Sequence, residues 1–291
     1  MVPVLSRLPW FDVADPASPE LDELAQRFGL HPLQIEDCRH RPQRPKAEEH
    51  DHYIFAVMKH MHNHGELAFD DFDVFIGPDF LITVRSADAA VFDAVRARAE
   101  QEQIDRLDKL FYTIVDQIVD GYQPVLDKIA DDIADIEDAV LEQPDPEMLS
   151  RIFALKRKLV DFRRVSAGMR EVVNDLMRRE KGLLGDDLDM YFRDVYDHIL
   201  RTVDMIETYR DLLSGSLDIY LSAVANRTNE VKKILTIWGT VALPLVIITG
   251  FFGMNLKLPW EDSYHGTLFV LLLMTVSTVA VLVYFRIKRW F

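Results

Sequence analysis

Cysteine is almost missing from this chain. Cys38 stands alone among 291 residues, so no intrachain disulfide can form, as expected of a reducing compartment. The first twenty residues lack the apolar stretch of a secretory signal and are not the Arg-rich sequence of a transit peptide. No glycine-rich phosphate loop is present, so nothing supports work driven by nucleotide hydrolysis. No nucleophile is paired with a base, and the abundant acids follow helical surface spacing, which argues against an enzyme. Positive charge is also short. Lys and Arg number 33 against 48 Asp and Glu, a formal charge of −15, which makes nucleic acid a poor partner and cations a good one.

Against that charged background, two stretches carry no charge at all: Ile234 to Phe252 and Thr267 to Phe285. At ~1.5 Å per residue, ~19 helical residues reach across a ~30 Å hydrocarbon core. A buried soluble helix can be equally apolar, but two in succession with basic flanks on the same side point to a lipid bilayer. Lys232 and Lys233 precede the first run, and Arg286, Lys288 and Arg289 follow the second. The segment between them holds Lys257, Glu261 and Asp262, with no cationic excess. The positive-inside rule therefore predicts a multi-pass protein of the cell (inner or plasma) membrane with both termini cytoplasmic.

The fold class predicted is an α+β cytosolic domain, a long-helix stalk and two C-terminal transmembrane helices. Residues 1–100 read as the α/β domain, with helices over 19–28 and 32–37. Strands follow over 53–61, 72–76 and 80–84, antiparallel at least in part because the connections are short. Residues 101–187 read as a helical hairpin region. Ile114, Ile118, Val125, Ile129, Ile133, Ile136 and Val140 recur at helical spacing, and Asp127, Asp131, Asp132, Asp135, Glu137 and Asp138 form an acidic face. Residues 188–255 read as one stalk helix of ~100 Å whose last part, about 234–254, is the first span. A loop over 255–266, a second span over 267–285 and a basic tail over 286–291 complete the chain.

Gly253-Met254-Asn255 closes the first span. Two spans cannot enclose water, so a pathway needs an oligomer with one helix per subunit on its axis. Stepping back from Asn255 by helical turns gives Phe251, Ile247 or Ile248, Leu243 or Pro244, Gly239 and Leu235, a mostly apolar stripe of the kind that gates by dewetting. A ring of carboxamides could hydrogen-bond to hydrated Mg²⁺, which sheds its waters reluctantly. From position alone, Asn255 reads equally well as a helix C-cap.

The segment Asn226 to Val231, the pair Leu243-Pro244 and Gly253-Met254-Asn255 resemble the CorA family of divalent-cation channels, whose signature is this Gly-Met-Asn. Tyr191 to His198 resembles that family's segment at the base of the long helix. Gly29 to Leu33 with Glu36-Asp37, and Gln43 to Lys46, resemble its N-terminal domain. The resemblance implies a funnel-shaped homopentamer that passes Mg²⁺ passively, with Co²⁺, Ni²⁺ or Zn²⁺ as further candidates. It implies Gly253, Met254 and Asn255 as a selectivity filter, and Asn229, Lys232, Leu235, Gly239, Leu243 and Val246 along the pore. Glu261 and Asp262 would concentrate cations at its mouth. Asp37 with Asp194, and Glu36 with Asp116, would hold regulatory Mg²⁺ between protomers. A cation bridging such carboxylates removes their repulsion, and its loss loosens the interface.

The chain departs from the family's bacterial pattern in several places. Leu243 and Lys232 stand where methionines are usual, Val246 where a pore-facing threonine is usual, and Leu258 to Asp262 replace a Met-Pro-Glu loop. A lysine ring would repel cations unless it snorkels outward. His60, His62 and His64 alternate on a predicted strand with His50 and His52 nearby, and imidazole suits Zn²⁺, Ni²⁺ or Co²⁺. No further ligand completes a set, so an exposed His-rich hairpin end is the plainer reading. A zinc transporter of the same superfamily and a non-conducting, membrane-tethered cation sensor are the alternatives.

Overall fold

The computed structural model describes residues 4–62, 68–86, 90–142, 145–178, 182–254, 264–288 and 290. They form two compact units, Met1–Leu217 and Asp218–Phe291.

The first unit opens with strand β1 (Trp10–Val13) and helices α1 (Pro19–Phe28) and α2 (Pro32–Arg39). Helix α1 starts because the Ser18 hydroxyl accepts from the Glu20 N–H and Pro19 presets the first turn. It stops at Gly29, whose φ of 67° suits a residue without a Cβ, and whose N–H donates to the Ala25 carbonyl. Strands β2 (Lys46–His50), β3 (Tyr53–His62), β4 (Ala68–Ile76) and β5 (Leu81–Val84) follow. The sheet order is β1-β5-β4-β3-β2, antiparallel except for β1, which lies parallel to β5 in the register Trp10 to Leu81.

Helices cover both faces, which is why β3 and β5 read as nearly continuous apolar runs. On one face Phe11, Tyr53, Phe55, Val57, Phe75 and Ile82 pack with Leu21, Leu24 and Ile35 from α1 and α2. The rest of the unit is helical: α3 (Ala90–Gln101), α4 (Leu107–Asp120), α5 (Gln123–Glu142), α6 (Pro146–Arg178) and the start of α7 (Asp189–Phe252). Trp10 meets Phe92 of α3 on the other face. The Tyr122 hydroxyl, fully buried, donates to the Lys59 carbonyl at 2.6 Å.

Two expectations are corrected. Strands β1 and β2 join the three expected strands. β1 is a four-residue edge whose parallel partner lies about seventy residues away, and β2 is a polar edge, Lys-Ala-Glu-Glu-His, with no apolar alternation. The exposed His-rich hairpin end also fails at His60. It is 2% exposed and meets the Phe72 ring edge-on, because α4 packs against β3 and β4. His64 and the side chain of His62 lie outside the described residues. His52 instead bonds the Phe28 carbonyl at 3.0 Å, and His50 packs on His31 and Tyr53.

In the second unit α7 continues to Phe252 with Pro244 inside it, and α8 spans Tyr264–Ile287. Both are long and apolar enough to cross a membrane. Inside such a helix Thr236, Thr240 and Thr249 satisfy their hydroxyls on carbonyls four residues back.

Candidate metal cluster and membrane helices

Three side chains of metal-ligating type, Asp116, Asp120 and His198, meet where α4 packs on the first turns of α7, and Asp194 adjoins them through His198. Asp116 and Asp120 are one helical turn apart on α4, as Asp194 and His198 are on α7, so each pair shares a face. His198 Nδ1 lies 3.6 Å from Asp120 Oδ1, and its Nε2 lies 3.7 Å from Asp194 Oδ2. Asp116, Asp120 and His198 each place a ligand atom within 4.8 Å of the others.

Apolar packing sets this geometry. Tyr112 contacts Tyr191 and Phe192, and Phe111 contacts Phe192, so α4 is fixed against α7 one turn from the cluster. Arg106 bridges Asp108 and Asp187 at the same end. Asp116 is buried and accepts from Arg98 at 2.7 Å. Burial pushes the Asp120 carboxyl above its ordinary range and the Asp116 charge pushes the same way, against the pull of His198 and Arg98. A divalent cation would relieve that repulsion. Carboxylate oxygens suit Mg²⁺, and the added imidazole suits Co²⁺ or Ni²⁺.

Of the residues predicted to hold regulatory cations, Asp116 and Asp194 belong to this cluster. Asp37 and Glu36 do not touch it: Asp37 accepts from Lys46 at 2.7 Å, and Glu36 lies 3.8 Å from His40. Asp120 and His198 were missed by the sequence reading. The signal was the repeated four-residue spacing, Asp116 to Asp120 and Asp194 to His198.

From Lys232 onward in the second unit, the less exposed positions of α7 are Lys233, Ile237, Val241, Pro244, Leu245, Ile248 and Phe252. They recur at three or four residues and form one stripe, ending where Phe252 meets Phe269 of α8 at 6.5 Å. Lys232, Leu235, Gly239, Leu243 and Val246 lie on the opposite side and are all exposed, with exposed Asn229 one turn earlier. A Cβ at Gly239 or Gly250 would meet nothing within 4 Å, whereas at Gly253 it would stand 2.9 Å from the Thr249 carbonyl oxygen. Gly253 still donates to that oxygen, and Met254 donates to Phe251. Asn255, Glu261 and Asp262 lie outside the described residues.

A sequence profile of the family described as CorA-like Mg²⁺ transporter protein matches residues 6–289. The chain belongs to the CorA family. It is 38% identical to the cobalt/magnesium transport protein CorA of Thermotoga maritima over 281 residues, covering 93% of this chain and 79% of that one. Identity to the protein of the same name from Methanocaldococcus jannaschii is 27%, covering 98% and 92%. The solved full-length CorA magnesium transporter from Methanocaldococcus jannaschii superposes with a TM-score of 0.88 at 26% identity, covering all of this chain and 95% of that one. A mixed α/β N-terminal domain, a long stalk helix and a C-terminal apolar helix are thus the CorA architecture, and the chain is a membrane transporter rather than an enzyme.

Proposed function

We propose that this CorA protein assembles as a homopentamer that passes Mg²⁺, with Co²⁺ or Ni²⁺ as further cargo, passively into the cytosol. The observation that carries the reading is the uncovered stripe of α7. Lys232, Leu235, Gly239, Leu243 and Val246 face away from the stripe that ends at the α8 contact, so five copies can bring that face together around an axis. Leu235, Gly239, Leu243 and Val246, small or aliphatic, suit a dewetting gate. In this reading Gly253, Met254 and Asn255, which follow α7 in the sequence, act as the filter, and the acids Glu261 and Asp262 would gather cations for it. The membrane is the cell membrane, with both termini on the cytosolic side.

Cytosolic Mg²⁺ is the gate's ligand in this reading. Asp116, Asp120, Asp194 and His198 form one half of a site, and Asp37 and Glu36 of a neighbouring copy form the other. Lys46 now holds Asp37, but the pair is about one-third exposed, and such pairs exchange at little cost. Cation binding would stabilise the closed assembly by linkage.

Two measurements test the proposal. The mass of the detergent-purified complex should correspond to five chains. Proteoliposomes with an inside-negative potential should take up Mg²⁺ without a proton gradient. Proton-dependent Zn²⁺ uptake would favour the zinc reading, and no divalent uptake would favour the non-conducting sensor.

A further inference from the structure

The uncovered face of α7 from Asn229 to Met254 carries a single ionisable side chain, and it is a cation. Lys232 is exposed and on the same side as Leu235, Gly239, Leu243 and Val246, whereas Lys233 falls on the half-covered stripe that ends at Phe252. No carboxylate shares that face nearby. Glu230 is two residues away, a spacing that puts side chains on different faces of a helix. The nearest acid on the same stripe is Asp218, 14 residues earlier or ~21 Å along the axis. That distance exceeds the ~8 Å over which exposed charges act at physiological salt. Among the described residues Lys232 makes no ion pair.

We propose that the Lys232 ammonium groups form a cationic ring at the cytosolic end of the pathway that impedes divalent efflux more than influx. The inference rests on the pentameric channel reading above. An ion leaving the cytosol must first concentrate at the ring, where the potential is positive and its local concentration is depleted. An ion arriving from the other side meets the ring last, after the membrane potential has drawn it through the span. The effect grows with ion charge, because the Boltzmann factor of a divalent ion is the square of that of a monovalent one. A ring that depletes a monovalent cation about threefold depletes Mg²⁺ about ninefold. The device is a rectifier built from one residue per subunit, and it makes Lys232 a determinant of direction rather than of passage.

The test is current through planar bilayers holding the full-length protein in one known orientation, with equal Mg²⁺ on both sides and the voltage reversed. Wild type should pass less current in the efflux direction. Lys232→Met should remove the asymmetry by raising efflux several-fold, and Lys232→Arg should keep it. High salt should bring wild type toward Lys232→Met, as screening requires. An unchanged current ratio in Lys232→Met, or an asymmetry indifferent to salt, would overturn the ring and mean that the side chains snorkel away from the axis. If wild type and Lys232→Met both carry no divalent current, the channel reading falls and the rectifier falls with it.

Discussion

Asp194 and His198 stand one turn apart on α7 with 3.7 Å between Oδ2 and Nε2, and the other ring nitrogen of His198 reaches toward Asp120 on α4. One imidazole thus links carboxylates on two helices. In the proposed gating, this is the point at which a cytosolic cation would be sensed at the base of the long helix.

We predict that His198→Ala separates soft from hard cations. Loss of the imidazole should weaken Co²⁺ or Ni²⁺ binding about 10-fold or more and leave Mg²⁺ within a factor of a few. Calorimetric titration of the detergent-solubilised protein with each ion checks this. Equal losses for Mg²⁺ and Co²⁺ would remove His198 from the ligand set.

A second prediction concerns Asp73. It is buried, hydrogen-bonded to Arg41 at 2.7 Å, and pushed up to about 7 by burial, against the pull of Arg41. Its folded-state pKa lies above the unfolded one, so between about pH 4 and pH 7 the folded chain holds a proton that the unfolded chain does not. Its contribution to stability is therefore greatest at the acidic end and declines as pH rises through that window. Asp73→Asn should flatten that slope in thermal unfolding of the full chain between pH 4 and 8. An unaltered slope would show that other groups set it.

The Tyr122 hydroxyl anchors the helical region to the sheet through the Lys59 carbonyl. Tyr122→Phe leaves a buried acceptor without its donor, and we expect a loss of about 1–3 kcal/mol. Denaturant unfolding measures it, and a change of only a few tenths of a kcal/mol would mean that water or another donor replaces the hydroxyl.

Much of the fold could be read from the sequence because its signals are local. Ser18, Pro19 and Gly29 mark both ends of α1, and charge-free runs mark the two apolar helices. β1 stayed hidden because its parallel pairing with β5 depends on residues far away in the chain, and β2 because an edge strand needs no apolar face. His60 was misread because alternation on a strand does not report what covers it. The candidate metal cluster was half legible. Asp116 and Asp194 came from resemblance, while Asp120 and His198 needed the crossing of α4 and α7 that the packing of Tyr112 with Tyr191 and Phe192 sets.

The most direct test of the account is Mg²⁺ uptake into proteoliposomes by wild type and Asn255→Ala, with Mg²⁺ on the cytosolic side varied. The account predicts passive uptake by wild type that falls as cytosolic-side Mg²⁺ rises, and loss of most uptake in Asn255→Ala at every concentration. Undiminished uptake by the variant would contradict the proposal that Asn255 forms the filter.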